Sequence, residues 1–155
     1  MSESKVKKMK KEVKVVEKEK EKINLPNALF EFFIPGSGAN NILIKLKSLC
    51  YGSFAMNLLR FCKKIQLSSE CQAYIEKRSE VIKQAQEKAK EEKMGFSSIT
   101  PFSIPEWGKI INEESGLMIE KFEISMGNLT QRNNFNQNLN ANEMEALESI
   151  FEFVD

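Results

Sequence analysis

From Asn40 or Asn41 to about Met94 the chain repeats apolar residues at helical spacing, and this one stretch leaves room for little except a helix-dominated fold. Phe54, Leu58, Phe61 and Ile65 follow a 4-3-4 spacing and mark a buried stripe. Cys71, Tyr74 or Ile75, Val81 or Ile82, and Ala85 continue that stripe with a small drift of phase. The drift falls at "LSSEC", where Ser68 or Ser69 is placed to cap a second helix, with Gln72 three residues after Ser69. Tyr51-Gly52 is a second candidate break, and Gly95 is placed as a C-terminal stop. The pattern therefore predicts one long central helix, or two in line. From Glu76 to Lys93 its surface is dense in Glu and Lys, as an exposed helical rod requires.

The flanking segments predict smaller elements. "EKINL" reads as a short extended lead-in, and Pro26 suits the first turn of a helix through "NALFEFF". "PGSGAN" (35–40) reads as a loop. "SIPE" (103–106) is a capping box that starts a helix at Ile104, running to about Glu114, with Trp107, Ile110 and Ile111 on its inner face and Ser115-Gly116 as its end. "LMIEKFEISM" (117–126) alternates at Phe122, Ile124 and Met126 and predicts a strand. Residues 128–142 hold seven Asn and two Gln, a polar loop with room for one short strand. Asn140 and Glu143 make a second cap signal, and Met144, Leu147, Phe151 and Val154 then predict a C-terminal amphipathic helix. The fold class expected is α+β, mainly α: the long central helix, a short helix-strand unit and a C-terminal amphipathic helix.

Charge divides the chain. Its net charge is +1, yet residues 1–22 hold nine Lys against five Glu, while the remainder carries a small acidic excess. The organisation expected is a basic arm over 1–22 and a single helix-dominated domain over 23–155. Val6, Met9, Val13 and Val16 allow the arm to become helical on a partner, although its polarity favours a solvated arm. The start of the sequence has no secretory apolar region, and no stretch reaches the ~18 apolar residues of a membrane span. A soluble, cytoplasmic protein is expected, so the "NLT" acceptor pattern at Asn128 carries no weight.

Histidine is absent, and the one aspartate is Asp155. Without His, Ser-His-Asp and Cys-His mechanisms are excluded, and the commonest zinc and iron ligand is missing. Cys50, Cys62 and Cys71 match no CxxC or zinc pattern and read as small apolar residues. "PGSGANN" lacks the Lys of a phosphate-binding loop and reads as a connector whose Ser or Asn caps the next helix. The one compact Glu/Lys/Tyr cluster, Tyr74, Glu76 and Lys77, is expected on an exposed helix surface. No catalytic residue, metal or cofactor is expected.

Two kinds of contact surface are in view. The exposed end of the long helix, with Glu76, Lys83 and Glu87, offers a protein-contact face, and Phe153 falls off the C-terminal apolar face towards a partner. Such a helix can also pair with its own copy. Alternatively, Lys7, Lys8, Lys10 and Lys11 of the arm, with Arg60, Lys63 and Lys64, can meet a nucleic-acid backbone, and Lys77 and Arg78 lie further along. Glu70, Glu76 and Glu80 weaken that basic stripe, and no aromatic residues interleave with it.

The order "KINLPNAL", "LLRFCKKI", "YIEKRSEVIKQA", "PEWGKIINEESGLMIEKFEI", "LNANEMEALESIFEF" resembles small uncharacterised proteins encoded by bacteriophages and prophages of AT-rich bacteria. The resemblance covers roughly residues 22–155 as an order of elements. The basic arm and the "PGSGAN" segment depart from it. It implies a phage accessory role, as a particle component, an assembly factor or an inhibitor of a host defence or regulatory protein, acting in the host cytoplasm. It carries no catalytic residue over.

Overall fold

A computed structural model describes residues 21–91 and 104–155, and the fold is α+β, mainly α. The arm residues Lys7, Lys8, Lys10 and Lys11, the proposed stop at Gly95 and the first residue of the "SIPE" box, Ser103, lie outside the described residues. Strand β1 (Lys22–Pro26) leads into a 3₁₀ helix (Asn27–Phe33) and three successive helices, α1 (Gly38–Leu49), α2 (Gly52–Gln66) and α3 (Ser69–Glu91). The second segment runs through α4 (Pro105–Ile111), β2 (Glu114–Glu120) and β3 (Phe122–Ser125), then two short 3₁₀ turns, α5 (Ala141–Leu147) and β4 (Phe151–Val154).

The stretch expected to hold one helix, or two in line, is three helices. Cys50 and Tyr51 are extended, and Gly52 has φ +65°, a left-handed conformation that a side chain would strain. At the second break Ser68 supplies the cap, because its Oγ accepts the Cys71 N–H at 3.2 Å. Ser69 Oγ turns to Glu70 instead. This second break decides which residues share the core. On one continuous helix, nine residues would put Cys62 and Cys71 about 180° apart. The turn at Leu67–Ser68 instead directs both thiols into the same interior.

Helix α1 starts at Gly38, earlier than Asn40. Neither Ser37 nor Asn40 caps it through its side chain: Asn40 Nδ2 donates to Phe32 O at 2.7 Å and ties the loop back to the 3₁₀ helix. Helix α4 also ends early, at Ile111, so that Glu114 to Gly116 join β2. β2 pairs antiparallel with β1, from Lys22↔Glu120 to Pro26↔Glu114, which makes the extended lead-in a true strand.

The C-terminal helix is shorter than its pattern predicts. Asn140 and Glu143 form a complete capping box, with Glu143 N–H donating to Asn140 Oδ1 at 2.8 Å and Asn140 N–H to Glu143 Oε1 at 3.0 Å. After Leu147, however, the chain leaves the helix, and Phe151 to Val154 form β4, parallel to β3. The spacing of Met144, Leu147 and Phe151 suits a helix, but "FEFV" also alternates with the period of a strand. Packing selects the strand: Phe151 meets Phe61 at 5.7 Å and Phe122 at 6.3 Å between ring centroids. The expected strand over 117–126 is consequently divided, its first part paired with β1 and its second with β4.

The core gathers Leu25, Phe30, Leu43, Leu46, Leu58, Ile65, Ile124, Leu147 and Phe151, all fully buried. Replacing Ser68 by Ala should lower unfolding free energy by about 1 kcal/mol, whereas Ser69→Ala should leave it within about 0.5 kcal/mol. Urea titration of the two variants checks this.

Candidate functional site

Glu31 is the only carboxylate in "NALFEFF", and the 3₁₀ helix turns it inward, where it is 9% exposed. Arg78 Nε donates to both of its oxygens, at 3.1 and 2.8 Å. Tyr74 O–H donates to Glu31 Oε2 at 2.9 Å and accepts the Trp107 Nε1–H at 3.3 Å. The Arg78 guanidinium also lies 5.1 Å from the centroid of the Trp107 ring. Four side chains from the 3₁₀ helix, α3 and α4 thus close one polar cluster, with Ser37 Oγ at its edge, 3.5 Å from Glu31. Burial pushes the Tyr74 phenol far above its ordinary range, the Glu31 carboxylate adds to the shift, and the Trp107 N–H and Arg78 oppose it. No fully buried side-chain nitrogen or oxygen among the described residues lacks a partner.

This arrangement corrects two expectations. Tyr74 is 1% exposed, while Glu76 and Lys77 point to solvent, so the three residues form no common site. Arg78 is committed to Glu31 and Trp107 and does not extend a basic stripe. The sequence carried a signal for the cluster, a single Glu within an apolar run, but nothing in it pairs position 31 with position 78.

Cys62 and Cys71 are buried and Cys50 is half-buried, all three as free thiols. Burial pushes each up to about 11 from 9.0, with Lys47 lowering and Cys50 raising the Cys62 value. Their reading as small apolar residues agrees with this placement. Among the described residues no three His, Cys, Asp or Glu side chains come together as a metal site.

The expected contact residues divide. Glu76, Lys83 and Glu87 are exposed on α3, and Arg60, Lys63 and Lys64 are exposed on α2. Phe153 is not a free aromatic: it is half-buried, paired in register with Ile124 and packed against the core.

The polar loop hides a better candidate. Arg132 N–H donates to Asn138 Oδ1 at 2.8 Å and Asn138 Nδ2 donates to Arg132 O at 2.9 Å, which closes the loop 132–138. Asn134 Oδ1 accepts the Asn136 N–H at its tip. The closed loop is fastened to the end of α1, where Arg132 Nη2 donates to Ser48 O at 2.8 Å and Thr130 N–H to Leu49 O at 2.6 Å. Phe135 is thereby held 82% exposed. Further exposed apolar side chains lie on the elements that carry this loop: Tyr51, whose O–H donates to Gly127 O, Met126, and Ile44 one turn before Ser48. The nearby Lys45 is neutralised by Glu143 at 2.9 Å. Sequence reading passed over Phe135 because its neighbours are amides.

Comparison with protein-family models, with curated proteins and with solved structures finds no match in any of the three.

Glu31→Ala should cost about 3–5 kcal/mol, because it leaves the Arg78 charge partly buried without its partner. Thermal unfolding of the variant beside Tyr74→Phe, with an expected cost of about 1–3 kcal/mol, measures this. The thiols set an alkaline limit as well. Their native pKa of about 11 exceeds the unfolded 9.0, so their contribution is fully present below pH 9.0 and is lost as pH rises towards about 11. Urea midpoints across that window should fall, and a Cys62→Ala, Cys71→Ala pair should flatten the fall.

Proposed function

We propose that this chain is a non-enzymatic accessory protein, of the kind that bacteriophages encode, which acts through protein–protein contact. The observation that carries the reading is Phe135, 82% exposed at the tip of a loop closed by its own amides and fastened to α1. An aromatic side chain on an ordered loop offers apolar area with little left to order on binding, which is how interface anchors work. The buried polar groups support the same reading from the other side. Glu31 is ion-paired with Arg78 and the cysteines are held as thiols, so these groups serve the fold in this reading. The resemblance in element order to phage and prophage proteins supports an accessory role as a particle component, an assembly factor or an inhibitor of a host protein.

A nucleic-acid reading draws on Arg60, Lys63 and Lys64, which are exposed on one helix, together with the basic residues 1–22. It predicts binding that weakens steeply with salt. Affinity capture from the native or infected host separates the two, run in low and high salt, with and without nuclease, using the full chain and Phe135→Ser. The expected result is a protein partner that survives salt and nuclease and is depleted about tenfold or more by the substitution. The variant's stability should stay within about 0.5 kcal/mol, since Phe135 is exposed. Capture that ignores Phe135→Ser, or that yields nucleic acid released by salt, overturns the proposal.

A further inference from the structure

A groove of about 520 Å³ lies between α2 and the β2–β3 strands, on residues the Phe135 surface does not use. Apolar residues line much of it: Phe61 and Ile65 from α2, with Leu117, Met118, Ile119 and Phe122. Met118 is half exposed there, an apolar side chain left open to solvent on an otherwise ordered strand. Lys22, Lys64 and Lys121 also line it, with Glu120 and Glu123. Lys22 lies opposite Glu120 in the β1–β2 ladder, and Glu123 already has an interaction partner. Lys64 and Lys121 have no ion-pair partner among the described residues. Arg60, exposed one turn before Lys64, and the adjacent Lys63 add to the positive field on that side.

From this we infer that the groove binds an acidic peptide segment of a partner protein, with apolar side chains set between its carboxylates. The inference rests on the protein-contact reading above and specifies the chemistry of one contact. Apolar side chains of the segment cover Met118 and the apolar lining, and its carboxylates meet Lys64 and Lys121. Residues 117–123 line the groove beside Phe61, Lys64 and Ile65, so an extended segment in it meets apolar and charged side chains together. A nucleic-acid strand fits less well. It needs ring faces free for stacking, whereas Phe61 and Phe122 already pack on each other at 5.0 Å and on Phe151 at 5.7 and 6.3 Å.

The test is fluorescence anisotropy on the full chain with three labelled probes: a short peptide of alternating leucine and glutamate, the same peptide with lysine for glutamate, and an oligothymidylate. Binding is expected for the glutamate peptide alone. It should weaken about tenfold in Lys64→Glu and in Lys121→Glu, and severalfold in Met118→Ser or on raising salt from low to physiological. Circular dichroism of these surface variants verifies that they remain folded. Failure of the glutamate peptide to bind, binding that ignores all three substitutions, or preferred binding of the oligothymidylate would each overturn the inference. None of these outcomes touches Phe135-dependent capture, so the groove can fail while the protein-contact reading stands, and the reverse.

Discussion

The buried carboxylate of Glu31 is the constraint on which the rest of the arrangement depends. A carboxylate this far from water is costly unless its oxygens are bonded, and here Arg78 takes both of them while Tyr74 takes one. Meeting that requirement brings α3 against the 3₁₀ helix at a fixed register. Trp107 then carries α4 into the same cluster, through the Tyr74 hydroxyl and beneath the Arg78 guanidinium. Asn27 reinforces this seam from a few residues away, donating to Ile110 O at 2.8 Å. A network of this kind specifies one packing, because a shifted helix would leave a charge without its partner.

With α3 held, the remaining elements close around one apolar interior. The turn at Leu67–Ser68 lets α2 and α3 each send a cysteine into it, and the aromatic group of Phe54, Phe61, Phe122 and Phe151 joins α2 to the β3–β4 pair. Strand β4 is retained less by intrinsic preference than by Phe151, which is buried completely. The surfaces proposed for partners lie on this frame. The Phe135 loop hangs from the end of α1, and the groove is bounded by α2 and β2–β3. Both are positioned by ordered elements, as recognition surfaces require.

Local signals were legible where the chemistry is local. The Asn140–Glu143 capping box, the candidate break at Tyr51-Gly52 and the cap at the "LSSEC" drift each depend on residues within four positions of one another, and each stands in the structure. The helix-dominated class followed from apolar periodicity. What was misread turned on competition between near-equal local patterns. Met144 to Val154 satisfies a helix period and, in its last four residues, a strand period, and only the aromatic neighbours of Phe151 decide between them. Phe135 went unnoticed for the opposite reason: seven surrounding positions are polar, and the loop closure that holds it out is a tertiary fact.

By itself the sequence determined the helical class, the candidate breaks within the central stretch and the lack of histidine chemistry, since these depend on residue types and short spacings. Only the tertiary structure decided that Glu31 would find Arg78 across 47 positions, that Lys121 would stand at one groove with Lys64, and that Phe153 would be half-covered. The physical reason is that burial, ion pairing and groove shape depend on distances between residues remote in sequence. Periodicity places a side chain on a face, and packing alone determines what that face meets.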